Sequence, residues 1–90
     1  MKKKIAVLVR ADQGEALRMA LGLTLMDDMV DIYVLDGKVE ETEKNILNLE
    51  TAAIMDIGLF TNSQENSGME YIPTEEIAQR LIEYDVVLPY

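Results

Sequence analysis

No cysteine and no histidine occur among the ninety residues of this chain. Their absence removes the thiol nucleophile, the thiolate and imidazole metal ligands, and the one side chain whose ordinary pKa lies near neutrality. It also removes any disulfide staple, so a domain this small gains extra stability from close packing or from a partner subunit. Long apolar runs are missing too. None approaches the roughly 20 residues that a membrane span needs, and Ile5 to Val9 is too short for the core of a signal peptide. The expectation is a cytoplasmic protein with no membrane contact. Basic residues are scarce, 8 against 17 acidic, for a net charge of −9, which repels a phosphate backbone and argues against nucleic acid as a ligand. The one basic cluster, Lys2-Lys3-Lys4, is read as a solvated lead-in to the first strand.

Phosphate-cradling motifs are absent as well. The loop after the first strand reads Arg10-Ala11-Asp12-Gln13-Gly14-Glu15, with a lone glycine, so neither a G-x-G-x-x-G dinucleotide site nor a Walker loop is present, and no cofactor is called for. Asp27, Asp28 and Asp31 lack the spacing and glycine of a calcium loop and are read as a solvated helix-strand turn, so no metal site is assigned. Glu40, Glu41 and Glu43 sit at a helix start, where the dipole accounts for them.

What is there is 49% apolar and alternates between strand and helix signals along one domain, without repeat or linker. Ile5-Ala6-Val7-Leu8-Val9 reads as a strand buried on both faces. Asp12 and Glu15 form a potential capping box for a helix running to about Met26. Met29 to Leu35 is the second strand, closed by the turn pair Asp36-Gly37. A second helix spans about Glu41 to Asp56, with Gly58 as its left-handed cap. Leu59-Phe60-Thr61 is a short third strand and Ser63 to Glu70 an exposed loop. Thr74 caps a third helix with an apolar stripe of Ile77, Ala78, Leu81 and Ile82, and Asp85 to Leu88 is the last strand. The pattern predicts an α/β fold: a three-layer α/β/α sandwich on a mainly parallel four-stranded sheet, in flavodoxin-like order 2-1-3-4. The first helix would then cover one face alone.

That helix is apolar nearly all round. Ala16, Met19, Ala20 and Leu23 can face the sheet, while Leu17, Leu21 and Leu25 point elsewhere and Gly22 permits close approach. The surplus marks Leu17, Leu21, Gly22 and Leu25 as a subunit interface. Ligands of such sheets bind at the carboxyl ends of the strands. Arg10, Asp12, Gln13, Asp36, Thr61, Asn62 and Tyr90 collect there and are the candidate ligand-binding residues. Arg10 beside the amides of the first helix can hold a small anion, although an ion pair with Asp12 or Asp36 is the favoured reading. Thr61 and Asn62 bind well and attack poorly without an adjacent base. No catalytic constellation is visible.

The chain resembles the DsrE/DsrF/TusD-like sulfur-relay family over nearly its whole length. The likeness lies in the opening strand with Glu15-Ala16-Leu17-Arg18-Met19-Ala20-Leu21-Gly22-Leu23, in Leu35-Asp36, and in Ile72-Pro73-Thr74-Glu75-Glu76-Ile77 with Asp85-Val86-Val87-Leu88. The resemblance implies a trimer or hexamer and sulfur transfer through a cysteine persulfide near the end of the third strand. Here that region reads Thr61-Asn62-Ser63, and a hydroxyl forms no persulfide. The expectation is therefore a non-catalytic oligomeric subunit or scaffold, as a homo-oligomer or with a cysteine-bearing paralogue. The alternative is a small-molecule or anion-binding protein, or a minor enzyme, using the sheet edge.

Overall fold

A computed structural model describes residues 3–25, 29–66 and 68–90 of the chain. The apolar run Ile5–Val9 lies in the central strand β1 (Lys4–Val9), which pairs with β2 (Met29–Val34), and the remaining strands are β3 (Gly58–Thr61), β4 (Glu70–Tyr71) and β5 (Val86–Pro89). The helices are α1 (Gln13–Leu25), α2 (Glu43–Ile54) and α3 (Thr74–Leu81). All strand pairs are parallel, and the sheet has five strands in the order β4-β3-β2-β1-β5.

Two features of the expected sheet are thereby corrected. β3 lies beside β2 rather than β1, so the order 2-1-3-4 does not form. The last residue of the expected loop, Glu70, pairs with Phe60 and starts a fifth strand. This edge strand is two residues long and exposed on both, so no alternation of apolar and polar residues marked it. The chain steps outward from β1 to β4, and α3 then carries it back to β5 on the other side of β1. The order therefore reverses between β1 and β5.

Alternating residues divide the core into two layers. Ile5, Val7 and Val9 with Val30, Ile32 and Val34 face α1 and α2, whose Ala16, Leu17, Ala20 and Ala52 are buried against them. Ala6 and Tyr33 face Ile77 of α3, with Leu8, Phe60, Leu81 and Tyr84 partly buried around them. The α/β/α layering holds, but its distribution is the reverse of that expected: α1 shares its face with α2, and α3 covers the other alone. The right-handedness of parallel crossovers dictates this: β1 to β3 step across the sheet one way, with α1 and α2 on one face, and the return to β5 runs the other way, which puts α3 on the opposite face.

The pairing of α1 with α2 also accounts for the surplus apolar surface of α1. Leu17, read as facing a partner subunit, is 1% exposed and belongs to the core of this chain. Leu21 is half-buried against the same core, whereas Gly22 is exposed and Leu25 is 80% exposed. Other helix boundaries differ in detail. The left-handed residue after α2 is Asp56 (φ 62°), while Gly58 opens β3. Thr74 forms no cap: the N-cap of α3 is Pro73, with no side-chain bond. In the expected stripe of α3, Ile77 is buried, Ala78 is exposed and Ile82 is 83% exposed. Met26, Asp27 and Asp28, with the start of the lysine run, lie outside the described residues.

The α3 face is fastened by a polar relay among aromatics. Tyr33 stacks on Phe60 with centroids 5.0 Å apart and meets Tyr84 edge-on at 5.9 Å. The Tyr33 and Tyr84 hydroxyls are 2.8 Å apart, and the Tyr84 hydroxyl also donates to Asp31. Gly58 makes room for this arrangement, since a Cβ there would lie 2.4 Å from Asp31 Oδ1 and 2.7 Å from the Phe60 ring. Burial first, then the Asp31 and Tyr33 partners, hold the Tyr84 phenol well above its ordinary pKa.

Candidate functional site

The carboxyl ends of the strands bring the candidate residues together, but chiefly to bond one another. At the reversal between β1 and β5, the main-chain oxygen of Tyr90 accepts from the amides of Arg10 (3.1 Å), Ala11 (3.0 Å) and Asp12 (3.5 Å). The Tyr90 ring packs on the core of the α1 face. The amides of the loop between β1 and α1 are thus engaged. The Arg10 guanidinium pairs with Asp36 at 3.1 Å, both side chains more than half exposed, so the contact is worth at most about 1 kcal/mol.

Asp12 caps α1: its Oδ1 accepts from the Glu15 amide at 3.3 Å. The reciprocal half of the capping box is replaced by a bond from Arg18 to the Glu15 carboxylate at 2.9 Å. Gln13 ties α1 to the loop before α2, donating to the Lys38 carbonyl (3.3 Å) and accepting from the Glu40 amide (2.9 Å). Asp36, left-handed at φ 65°, donates its amide to Asn62 Oδ1 at 2.8 Å. Asn62 Nδ2 in turn donates to Thr74 Oγ1 at 3.0 Å.

Thr61 is fully buried at the end of β3. Its hydroxyl donates to the Val34 carbonyl (2.9 Å) and accepts from the Ser63 amide (3.0 Å) and from Asn66 Nδ2 (2.9 Å). Asn66 also donates to the Gly37 carbonyl and accepts from the Val39 amide, each at 2.9 Å. Thr61, Asn62 and Ser63 are therefore framework groups holding three loops in register. No hydroxyl among them faces a base, so the geometry offers binding and positioning rather than nucleophilic attack.

Sequence reasoning missed the two buried asparagines, Asn45 and Asn66. Asn66 sat in a stretch read as exposed loop. Asn45 stands three residues after Thr42, the N-cap of α2, and its amide donates to Thr42 Oγ1 at 3.1 Å; starting that helix at Glu41 hid the cap. Asn45 Nδ2 donates to the Glu40 carbonyl at 3.0 Å and to Gln13 Oε1 at 3.4 Å. Outside this framework, a cleft of about 430 Å³ opens between the N-terminal ends of α1 and α2, lined by Arg10, Gln13, Gly14, Glu40, Lys44 and Asn45 among others. Among the described residues no cluster of three acidic, histidine or cysteine side chains is placed to hold a metal, and no helix is long and apolar enough to cross a membrane.

Fold and edge together define a small α/β protein, with a parallel five-stranded sheet and three helices among the described residues. A search of family models finds no match, and neither does one of curated proteins. Among solved structures, the chain is similar to YchN from E. coli, a protein of DsrE/DsrF-like fold. The TM-score is 0.76 at 15% identity, over 100% of both chains. At that identity the likeness shows the fold alone.

Proposed function

We propose that this protein is a non-catalytic subunit or scaffold of a DsrE-like assembly, built as a homo-oligomer or together with a cysteine-bearing paralogue. One observation carries the reading. At the end of β3, where the resemblance places the persulfide cysteine, Thr61, Asn62 and Ser63 are committed to structural hydrogen bonds, and the chain has no thiol elsewhere to take over the transfer. The likeness to YchN supports the fold on which such an assembly would be built. Apolar surface is available for association: Leu25, Met29 and Ile54 are 80%, 57% and 85% exposed, each beside the cleft that Thr24, Met29 and Met55 line at the opposite end of the sheet.

The test is native purification of the tagged chain from its own cells, with partners identified by mass spectrometry and mass by light scattering. Recovery in a fixed ratio with a cysteine-bearing protein of the same fold is the expected result, or a discrete homo-oligomer that this paralogue joins on mixing. A monomer that binds no such paralogue overturns the proposal.

A further inference from the structure

We propose that Asp36 is a site of spontaneous backbone modification, converting to isoaspartate through a cyclic imide formed with Gly37. The inference is independent of assembly and rests on the turn after β2. In the first step the main-chain nitrogen of Gly37 attacks the side-chain carboxyl carbon of Asp36 in its protonated form. A C–N bond forms and one water leaves, made of the carboxyl hydroxyl and the amide hydrogen, which closes a five-membered ring. Water then adds at either carbonyl of that ring. Opening on the main-chain side breaks the bond between the Gly37 nitrogen and the Asp36 main-chain carbonyl carbon. The chain then runs through the former side-chain carbonyl, with the main-chain carboxyl left as the new side group. Nothing is oxidised or reduced, and water is the only co-reactant.

The attack needs a nitrogen not engaged as a donor, a following residue without bulk, and a carboxyl able to swing towards it. The turn supplies all of these. Asp36-Gly37 is the only aspartate-glycine pair in the sequence. The Gly37 amide donates to no acceptor among the described residues, and nothing lies within 4 Å of the place where its Cβ would be. The Asp36 side chain is 61% exposed, and its 3.1 Å contact with Arg10 is a surface pair that opens readily. Asn62 Nδ2 lies 3.4 Å from the other carboxyl oxygen. The framework grips the turn on either side of the reacting pair, through the Asp36 amide and the Gly37 carbonyl, and leaves the reacting nitrogen itself unheld.

Other aspartates lack this combination. Asp31, Asp56 and Asp85 are each followed by a β-branched residue, whose stiff side chain crowds the attacking nitrogen. The Ile57 amide after Asp56 is also engaged, by the Ala52 carbonyl at 3.0 Å. Asp12 commits its carboxylate to the Glu15 amide at the start of α1 and is followed by glutamine.

The experiment is incubation of the whole protein at neutral pH, folded in buffer and unfolded in guanidinium chloride, with isoaspartate located by electron-transfer mass spectrometry of its peptides. Isoaspartate should accumulate at residue 36 ahead of every other aspartate. The folded chain should form it no more than about thirtyfold slower than the unfolded chain, the rate equivalent of fixing one residue's backbone. Gly37→Ala restricts the backbone at the attacking nitrogen and should slow the reaction about two- to fivefold. Gly37 does not have a positive φ and its added methyl meets open space, so the unfolding midpoint should not fall. Asp36→Asn should reach the same imide faster than the parent, since it loses ammonia and needs no protonated carboxyl. Isoaspartate confined to the unfolded chain, earlier reaction at another aspartate, an undiminished rate in Gly37→Ala, or an Asp36→Asn chain that keeps its side-chain amide overturns the inference.

Discussion

Replacing Asn66 with alanine should be among the most damaging single changes outside the apolar core. The side chain closes three hydrogen bonds of 2.9 Å, from the Val39 amide and to the Gly37 carbonyl and Thr61 Oγ1. Their losses are unequal. Thr61 keeps its bonds to Val34 and Ser63, and the Gly37 carbonyl can turn to water, so each costs about 0.5–1 kcal/mol. Val39 is 6% exposed, and its amide, left without an acceptor, costs about 1–3 kcal/mol. Together the change should remove about 2–5 kcal/mol, against about 5–13 kcal/mol for a whole domain of this length. It should lower Tm by on the order of 10–40 °C. Urea titration followed by circular dichroism measures it, with a lower midpoint and an unchanged slope as the signature. Asn66→Asp separates donor from shape. It keeps the acceptor for Val39 but turns a charge on two oxygens, so the folded carboxyl is held above its unfolded value of about 3.9. The protonated form is then the one folding favours. The deficit should be largest at neutral pH and shrink as pH falls towards the unfolded value, where the protonated acid again donates. A loss below about 0.5 kcal/mol for Asn66→Ala, within the range of ordinary surface changes, refutes the reasoning.

Tyr84→Phe should cost about 1–3 kcal/mol through its lost bonds to Asp31 and Tyr33. Because folding raises the Tyr84 pKa, the stability it contributes is present below about pH 10 and lost above it, so denaturant midpoints of the variant should fall less steeply than the parent's in that alkaline range. Gly58→Ala drives a Cβ into Asp31 and Phe60 and should destabilise by about 1–3 kcal/mol; in a double mutant with Tyr84→Phe the losses should be less than additive, as urea titration of all four forms will show. Leu17→Ala should cost about 2–5 kcal/mol with no change of assembly mass, whereas Leu25→Glu should lower the mass seen by light scattering while leaving the stability of the subunit within about 0.5 kcal/mol. Ser63→Cys should fold normally, and its thiol should titrate at or above about 8.5 by thiolate absorbance, since two acidic residues are close by: Glu65 donates its amide to the Ser63 side chain and Asp36 is bonded to the neighbouring Asn62; a depressed value would show that the site still supports a thiolate.

Secondary structure was legible where one physical signal acted alone. The apolar run 5–9 read as a buried strand and 29–35 as the second strand, and the α1 and α2 spans matched within a few residues at each end. Pairing was not legible, because apolar periodicity fixes which face a residue shows and says nothing of which strand lies beside it. The error then propagated: placing β3 beside β1 put α2 on the wrong face and made the breadth of apolar surface on α1 look like a subunit interface. Leu17 is covered within the chain, and Leu25 alone among the four interface residues remains a largely exposed apolar side chain. At the site, the ion pair between Arg10 and Asp36 was foreseen, since opposite charges at neighbouring strand ends meet readily. The network through Asn45 and Asn66 was not, because an asparagine in a polar stretch looks the same whether it hydrates a loop or bolts one down.

The charge around β3 gives the absence of a thiol more weight than a missing residue carries by itself. A thiolate needs a nearby cation, a helix N-terminus or a base to hold its pKa down. Asp36 closes on Asn62 from one side, and the arginine that could offset it is already paired with that aspartate. At the start of α3, Asn62 bonds the Thr74 hydroxyl. The Asp36 carboxylate and the paired Arg10 therefore leave no unpaired cation among these residues at the strand end, so a single cysteine would restore the atom without the cation that holds a thiolate's pKa down.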